Sequence, residues 1–318
     1  MSIIKTLKTA SLALIISIAS QPSFAQFIKL NTVGDNPGNL SASYFAPKTP
    51  APSIVVLLHG CAQSGEALAQ QSGLLALAKK NNFALLVPQQ SLDNNIKRCF
   101  NWYSVNDYAK NVGENLSIKN MILALKNQLA SDNIYILGLS GGGAMASSML
   151  VNYPELFNAG AIVAGIPFPC ADGLITAISC MKNGPSQTAK ELTLLVNKLN
   201  PQHNGWPKIS VWTGKDDAIV NPLNSITFAK HWANLSGISA APSIEKSIGY
   251  TTTSWKNKKH KTQVELVVVA NLGHGIMVNP DEENGGEVAD YLLASPVSSA
   301  KKIIEFWQLP EMNMTSKN

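Results

Sequence analysis

The sequence contains few cysteines and no close pair of them. The four are Cys61, Cys99, Cys170 and Cys180, and none forms a Cys-x-x-Cys motif. Zinc ribbons and thioredoxin-like redox sites are built on such pairs, so the sequence argues against both. An even set of cysteines is instead typical of disulfides in an exported protein.

The excess of positive over negative charge in the sequence is also small. The net charge is +5 over 318 residues, and the basic residues are scattered apart from one dense run at residues 256–261. We interpret that run as a solvated turn between two strands. A weak and scattered basic excess does not indicate nucleic-acid binding.

Long apolar runs are missing beyond the N-terminus. Residues 12–19 are largely apolar, follow two lysines, and lead to a small-x-small pattern at residues 23–25. This segment is short for a membrane span and is typical of a secretory signal peptide. We therefore expect residues 1–25 to be removed on export, no membrane association, and one domain over residues 26–318, where no repeat or linker occurs.

Strand and helix patterns alternate through the rest of the chain. Residues 54–58 and 83–87 are continuous apolar runs, typical of strands buried on both faces, and the helical pattern of residues 66–80 separates them. A loose alternation over residues 27–45 predicts a hairpin at the sheet edge. Together these patterns predict an α/β fold with a mostly parallel, doubly wound sheet and helices on both faces.

One stretch carries the strongest chemical signal. An apolar run over residues 134–137 leads into a Gly-x-Ser-x-Gly motif at Gly138, Ser140 and Gly142, and an apolar helical pattern follows. Strand, sharp turn and helix in that order are the setting in which this motif forms a nucleophile elbow. Such a turn holds the serine hydroxyl at a helix N-terminus, where backbone amides stabilise negative charge. The alternative is a glycine-rich turn with a capping serine.

A serine nucleophile needs a base, and the base needs an acid that orients it. In α/β-hydrolases the acid and then the histidine follow the serine, each after a strand. His274 follows an apolar strand in a Gly-His-Gly loop, whereas His231 lies in a helical pattern and His260 among lysines. The acid is Asp216 or Asp217, and the residue pattern leaves both open.

The same chemistry requires hydrogen-bond donors for an oxyanion. One donor is expected to be the amide of Gly141, directly after Ser140, and the other to come from the loop around Gly60 and Cys61. We interpret His59 in that loop as a structural hydrogen-bonding residue rather than a second base. The chemistry implies no metal or organic cofactor.

Four motifs of the chain occur in the order found in one known family. They are Leu58-His59-Gly60-Cys61-Ala62-Gln63, Arg98-Cys99-Phe100-Asn101-Trp102, Gly138-Leu139-Ser140-Gly141-Gly142-Gly143-Ala144-Met145 and Ala164-Gly165-Ile166-Pro167. Through them the chain resembles the catalytic domains of polyhydroxybutyrate (PHB) depolymerases, over about residues 53–309. That family is related to the feruloyl and acetyl-xylan esterases.

The resemblance implies an α/β-hydrolase fold and a secreted serine esterase that acts on short-chain hydroxyalkanoate esters, polymeric or oligomeric. The family's acid motif matches Gly214, Asp217 and Val220 and so selects Asp217, and the resemblance makes the amide of Cys61 the second oxyanion donor. A feruloyl or acetyl-xylan esterase is the first alternative, and a non-catalytic binding protein of the same fold is the second. We expect an ester substrate as the partner and a monomeric protein.

Three departures from the family pattern bear on specificity. Gly141 stands where the family often has alanine, and Phe100 where it usually has tryptophan. The sequence ends at Asn318 without a linker and polymer-binding module, so we expect soluble oligomers and short acyl esters to be better substrates than crystalline polymer. The rings of Phe100, Trp102 and Tyr103 are expected to wall the substrate cleft.

The sequence alone does not decide the disulfide connectivity, because four cysteines allow three pairings. Cys61 and Cys99 lie in segments that follow adjacent buried strands, and Cys170 and Cys180 close a short insertion loop. We therefore predict the pairs Cys61–Cys99 and Cys170–Cys180. The alternative is one bridge and two free buried thiols.

Overall fold

The chain folds around a large β-sheet whose central strands are parallel. A computed structural model describes residues 27–31, 34–201 and 203–309, and the predicted signal peptide lies outside these ranges. The strands are β1 (Ile28–Lys29), β2 (Ser41–Phe45), β3 (Ser53–Leu58), β4 (Ala84–Gln89), β5 (Asn133–Leu139), β6 (Ala159–Val163), β7 (Lys208–Gly214), β8 (Ser243–Ser247), β9 (Tyr250–Lys256), β10 (Thr262–Val269), β11 (Ile276–Val278) and β12 (Leu292–Ala294). The helices are α1 (Gly65–Gln71), α2 (Leu74–Lys80), α3 (Val105–Tyr108), α4 (Gly113–Leu129), α5 (Gly141–Asn152), α6 (Leu174–Asn183), α7 (Ala189–Leu199), α8 (Leu223–Leu235) and α9 (Ser299–Trp307).

Within the described residues the main sheet has ten strands in the order β1-β2-β4-β3-β5-β6-β7-β10-β9-β8. The strands from β4 to β10 in this order are parallel neighbours, and antiparallel strands extend the sheet at both edges. The predicted hairpin is confirmed, because β1 pairs antiparallel with β2 at one edge. Parallel order brings the carboxyl ends of β5, β7 and β10 to one side of the sheet.

The apolar runs are continuous because helices cover both faces of the sheet. All six residues of β3 are buried, and the five apolar ones alternate between two hydrophobic clusters. Ile54, Val56 and Leu58 belong to the cluster that contains residues of α4, α5 and α8, whereas Val55 and Leu57 belong to the cluster that contains residues of α1, α2 and α9. This two-sided burial confirms the predicted α/β architecture.

One predicted helix is wrong in its extent. Residues 66–80 form two helices, α1 and α2, because Gly73 between them has a φ of +81°. A Cβ at Gly73 would lie 2.4 Å from the carbonyl oxygen of Asn284. The break therefore depends on a distant loop that passes against the helix, which the local helical pattern does not reveal.

Two further features surround the end of the sheet. The small parallel pair β11–β12 follows the His274 loop, and the predicted insertion between β6 and β7 contains α6 and α7. No helix in the described part of the chain is long and apolar enough to cross a membrane.

Candidate active site

Ser140 occupies a sharp turn between β5 and α5. Its backbone has φ 54° and ψ −120°, and its N–H donates to the carbonyl of Val163 at 2.9 Å. Glycine is required on both sides of it: a Cβ at Gly138 would lie 2.2 Å from the carbonyl oxygen of Gly142, and a Cβ at Gly142 would lie 2.3 Å from that of Leu58. The turn thus holds a serine at positive φ, which is rare for residues other than glycine and is concentrated at functional sites.

The loops after β7 and β10 pack directly on each other and bring Asp217 to His274. A Cβ at Gly214 would lie 2.3 Å from the carbonyl oxygen of Gly273, so the two loops approach as backbone against backbone. Asp217 Oδ2 lies 2.7 Å from His274 Nδ1, and His274 Nε2 lies 2.9 Å from Ser140 Oγ. The adjacent Asp216 is exposed. The predicted serine, histidine and second aspartate therefore form one hydrogen-bonded series.

The protein environment fixes the proton positions in this series. Oδ1 of Asp217 accepts the backbone N–H groups of Ile219 and Val220, each at 2.9 Å, and the side chain is fully buried. Oδ2 of Asp217 is the acceptor in its hydrogen bond with His274, so Nδ1 of His274 carries the proton of that bond. Nε2 is left as the acceptor for the Ser140 hydroxyl. This is the tautomer that a general base requires.

Two backbone amides near Ser140 have no hydrogen-bond acceptor within the described part of the chain. Within the described residues, the N–H groups of Cys61 and Gly141 donate no hydrogen bond. The two residues are neighbours, since a Cβ at Gly141 would lie 3.3 Å from the Cys61 Sγ. Glycine at this position leaves space between the elbow and the Cys61 loop.

His59 stabilises the Cys61 loop through hydrogen bonds, as predicted for a structural residue. The backbone N–H of Gln90 donates to Nε2 at 3.1 Å, so Nδ1 carries the proton and donates to the carbonyl of Gly60 at 2.7 Å. Burial lowers the pKa of His59 to about 4. His59 is therefore neutral near pH 7 and uses both ring nitrogens within the fold.

The remaining histidines considered as bases are remote from this series. His231 is fully buried and bonds Thr193 Oγ1 through Nδ1 at 3.1 Å, and burial lowers its pKa to about 3. His260 lies exposed in the turn between β9 and β10. The sequence predicted a structural role for His231 and an exposed turn for His260, and both placements agree with those predictions.

The cysteines pair as predicted, in the bridges Cys61–Cys99 and Cys170–Cys180. The first bridge joins the Cys61 loop to the segment after β4, which two hydrogen bonds also hold: Ala62 N–H donates to Lys97 at 2.7 Å, and Arg98 donates to the Ala62 carbonyl at 3.2 Å. The second bridge joins Cys170, which precedes α6, to Cys180 within that helix. The first therefore bears directly on the position of the Cys61 amide.

The three aromatic residues predicted to wall a cleft have different environments. The indole Nε1 of Trp102 lies 3.8 Å from the place a Cβ would take at Gly141, and its ring meets Tyr103 edge to face at 5.6 Å. The prediction for Phe100 is wrong. Phe100 is fully buried, with its ring 4.9 Å from that of His59, so its ring belongs to the core.

Tyr291 is a residue beside the site that the sequence reasoning missed. Its ring stands edge to face against His274, with centroids 6.0 Å apart, and it is 43% exposed. Its φ is +62°, a strained value for a bulky side chain. The carbonyl of Tyr291 accepts the N–H of Ile276 at 2.8 Å, so the β11–β12 pair holds the strained residue in place. The sequence around Tyr291 does not indicate that its ring lies beside His274.

Comparison with known proteins identifies the family. Residues 40–252 match the sequence profile of the family described as Esterase PHB depolymerase. The chain belongs to this family. It is 32% identical to poly(3-hydroxyalkanoate) depolymerase C of Paucimonas lemoignei, over 92% of this chain and 72% of that protein. It is 25% identical to feruloyl esterase B of Thermothelomyces thermophilus, over 81% and 91% of the two chains.

Solved structures confirm the fold. Acetyl xylan esterase from Aspergillus awamori superposes with a TM-score of 0.74 at 21% identity, over 90% of this chain and 100% of that one. The chain therefore has an α/β-hydrolase fold. With the family membership, this makes the protein a carboxylic ester hydrolase.

Reducing the Cys61–Cys99 bridge is expected to lower kcat about tenfold before the domain unfolds, because the bridge fixes a loop at the site. Its span of 38 residues corresponds to about 4 kcal/mol of stabilisation by the chain-entropy argument. The measurement is ester hydrolysis and circular dichroism during titration with a phosphine reductant. The matched control is Cys170→Ala/Cys180→Ala, which lacks the insertion bridge and should show the same loss on reduction. Unchanged turnover after full reduction would contradict the expectation.

Proposed function

We propose that the protein is a secreted serine esterase that hydrolyses short-chain hydroxyalkanoate esters, oligomeric or polymeric. The observation that carries the proposal is the hydrogen-bonded series from Asp217 through His274 to Ser140, with distances of 2.7 and 2.9 Å. Identity of 32% to a protein named poly(3-hydroxyalkanoate) depolymerase C supports the substrate class.

The first half-reaction forms an acyl-enzyme. Ser140 Oγ attacks the ester carbonyl carbon while its proton passes to Nε2 of His274, and the carbonyl π electrons move to the oxygen. The amides of Cys61 and Gly141 donate to this oxyanion, and each such donor is worth roughly 10²- to 10³-fold in rate. The Asp217 carboxylate stabilises the imidazolium through Nδ1–H. As the tetrahedral intermediate collapses, Nε2 returns the proton to the leaving alcohol.

The second half-reaction releases the acid. A water molecule takes the place of the alcohol, gives its proton to His274 Nε2 and attacks the acyl carbon. The same two amides hold the second oxyanion. Its collapse breaks the bond to Ser140 Oγ, which recovers the proton from His274. The free carboxylic acid leaves and the resting hydrogen-bonded series is restored.

A fluorophosphonate probe and an ester panel test the proposal. The probe should label Ser140, as located by peptide mapping, and the protein should hydrolyse soluble hydroxybutyrate oligomers and short acyl esters. Film clearing with matched enzyme would rank polymer against oligomer. A protein that neither labels at Ser140 nor turns over any ester would support the non-catalytic alternative.

Esters of plant polysaccharide are the second candidate substrates. The matches to proteins named feruloyl esterase B and acetyl xylan esterase favour this candidate. Its chemistry at Ser140 is the same, so only the substrate distinguishes it. Methyl ferulate and acetylated xylan, measured beside hydroxybutyrate trimer, separate the two: the better substrate by kcat/KM identifies the physiological class.

Export is part of the same proposal. The N-terminal pattern of residues 1–25 and the two disulfides support it, since structural disulfides persist in oxidising compartments. N-terminal sequencing of the protein recovered outside the cytoplasm should find Gln26 first. Retention of residues 1–25 on the recovered protein would contradict export by this signal.

Replacing Trp102 with alanine is expected to lower kcat/KM about tenfold more for a hydroxybutyrate trimer than for a small acetyl ester. The half-buried ring lies beside Gly141, the residue after Ser140. In the proposed function it contacts substrate units beyond the reacting carbonyl. Hydrolysis rates with the two substrates give the measurement. Trp102→Phe keeps an aromatic ring and serves as the control, with most of the oligomer activity retained. Equal losses on both substrates would place the ring outside the oligomer path.

A further inference from the structure

Glu114 is a fully buried carboxyl group beside the candidate active site and outside its serine, histidine and aspartate. It is the second residue of α4. Its Oε1 accepts from Gln90 Nε2 at 2.5 Å and from Asn101 Nδ2 at 2.8 Å, and its Oε2 accepts from the Asn101 backbone N–H at 2.8 Å. All three partners are donors, which matches an ionised carboxylate near a helix N-terminus.

Gln90 connects Glu114 to the loop that carries Cys61 by a hydrogen-bonded route. The backbone N–H of Gln90 donates to Nε2 of His59 at 3.1 Å. The Nδ1 of His59 then donates to the carbonyl of Gly60 at 2.7 Å, one residue before Cys61. The position of the Cys61 amide is thus tied to the carboxylate through two side chains.

A second route runs through the disulfide. The same Nε2 of Gln90 that reaches Glu114 also donates to the carbonyl of Cys99 at 3.2 Å, and Cys99 is bonded to Cys61. Gln90 is 1% exposed, and its Oε1 accepts from Ser91 N–H and Asn94 Nδ2, each at 2.9 Å. Its orientation is therefore fixed from both ends of the amide.

Asn101 connects Glu114 to the other side of the site. Both its backbone N–H and its side-chain amide donate to the carboxylate, and the next residue is Trp102. The Trp102 indole lies against Gly141, the residue after the nucleophile. One carboxylate is therefore linked by hydrogen bonds both to the loop that carries Cys61 and to the segment that carries Trp102, two groups that lie near Gly141.

We propose that Glu114 is a positioning residue that, through Gln90 and Asn101, sets the separation of the Cys61 amide and Trp102 from Ser140. The proposal rests on the proposed function, in which the Cys61 amide stabilises the oxyanion. Glu114 contacts neither the substrate nor the reacting atoms. Its effect on rate arises from the geometry of the groups it holds, since small displacements of a catalytic donor have large kinetic costs.

The charge state of Glu114 adds a pH signature to this role. Burial raises the pKa of Glu114 to about 8, and the nearby carboxylate of Asp107 on α3 acts in the same direction. On the other side of Gln90, burial lowers the pKa of His59 to about 4, and the cationic Arg98 acts in the same direction. Of Glu114 and His59, Glu114 is thus the group that titrates between pH 7 and 9. Protonation turns one carboxylate oxygen into a donor that faces the Gln90 or Asn101 donors and weakens the hydrogen bonds at that oxygen, so turnover falls as pH falls through about 8.

The test compares Glu114→Gln with Glu265→Gln. Glu114→Gln keeps the shape and removes the charge, and should lower kcat for a small acetyl ester about 10- to 100-fold. The rate of fluorophosphonate labelling at Ser140 should fall by the same factor, and the limb of the pH profile near 8 should disappear. Glu265 on β10 accepts from Ser210 at 2.6 Å in a region beside α9. Its variant should stay within about twofold of wild type, as a carboxyl group that only supports the fold would.

A Glu114→Gln protein with wild-type labelling, turnover and pH profile would overturn the proposal. If Glu114→Gln does not fold, Asn101→Ala is tested instead. This variant removes the side-chain amide that donates to Glu114, and Asn101 lies in a half-buried loop. It should reduce kcat and labelling together and shift the limb near pH 8, and a wild-type profile would again overturn the proposal. A wild-type protein that fails to label at Ser140 reports instead on the proposed function, and the role of Glu114 falls with it.

Discussion

Ser140→Ala is expected to lower kcat by about 10⁵- to 10⁶-fold and to leave a folded protein, because the members of a catalytic series act as a unit. Ser140 caps no helix amide with its side chain, and its hydroxyl bonds His274. Alanine therefore loses one hydrogen bond at an already strained φ of 54° and adds no new strain. Steady-state hydrolysis of a soluble acyl ester measures the effect.

The thermal midpoint of Ser140→Ala should stay within a few degrees of wild type, which separates lost chemistry from lost folding. Ser243→Ala on β8, an exposed position at the far edge of the sheet, is the matched control and should keep full activity. Retention of more than about 1% of wild-type kcat by Ser140→Ala would mean that another nucleophile does the work.

Asp217→Asn is expected to lower kcat by about 10⁴-fold, whereas Asp216→Asn should stay within about threefold. The buried Asp217 carboxylate holds the proton of His274 on Nδ1, and an amide in its place favours the wrong tautomer. The amide oxygen can still accept from Ile219 and Val220, so the loop should remain folded. Asp216 is exposed next to it and provides the matched control.

Parallel assays of the two aspartate variants at several pH values give the measurement. Asp217→Asn should regain part of its rate at high pH, where hydroxide substitutes for the lost base strength. If Asp216→Asn is the inactive variant and Asp217→Asn is active, the acid has been assigned to the wrong residue.

Much of the fold and of the candidate site was predictable because its signals are local. Three neighbouring patterns predict the elbow: an apolar strand, the glycines around Ser140 and an apolar helix. Asp217 and His274 each follow an apolar strand, and parallel strands deliver their carboxyl ends to one edge. The choice between Asp216 and Asp217 needed the family resemblance, since adjacent aspartates in a loop look alike.

The features that were missed depend on contacts between distant segments. The break at Gly73 exists because the backbone at Asn284 passes against it. Phe100 lies in the core, with its ring against that of His59. The residues next to a loop position in the sequence do not show in which direction its side chain points. Tyr291 lies beside His274 because β11 and β12 pair, and such short strands have no readable period.

The covalent tie between Cys61 and Cys99 has a consequence for when the enzyme becomes competent. Two thiols form a disulfide only in an oxidising compartment. A newly made copy in a reducing compartment would therefore have Ser140 and His274 in place but no bond between Cys61 and Cys99. Most of the activity would then arise with the change of compartment rather than with the completion of the chain. By the tenfold loss expected on reduction, a copy inside a reducing compartment would hydrolyse esters at about a tenth of the rate of the oxidised protein.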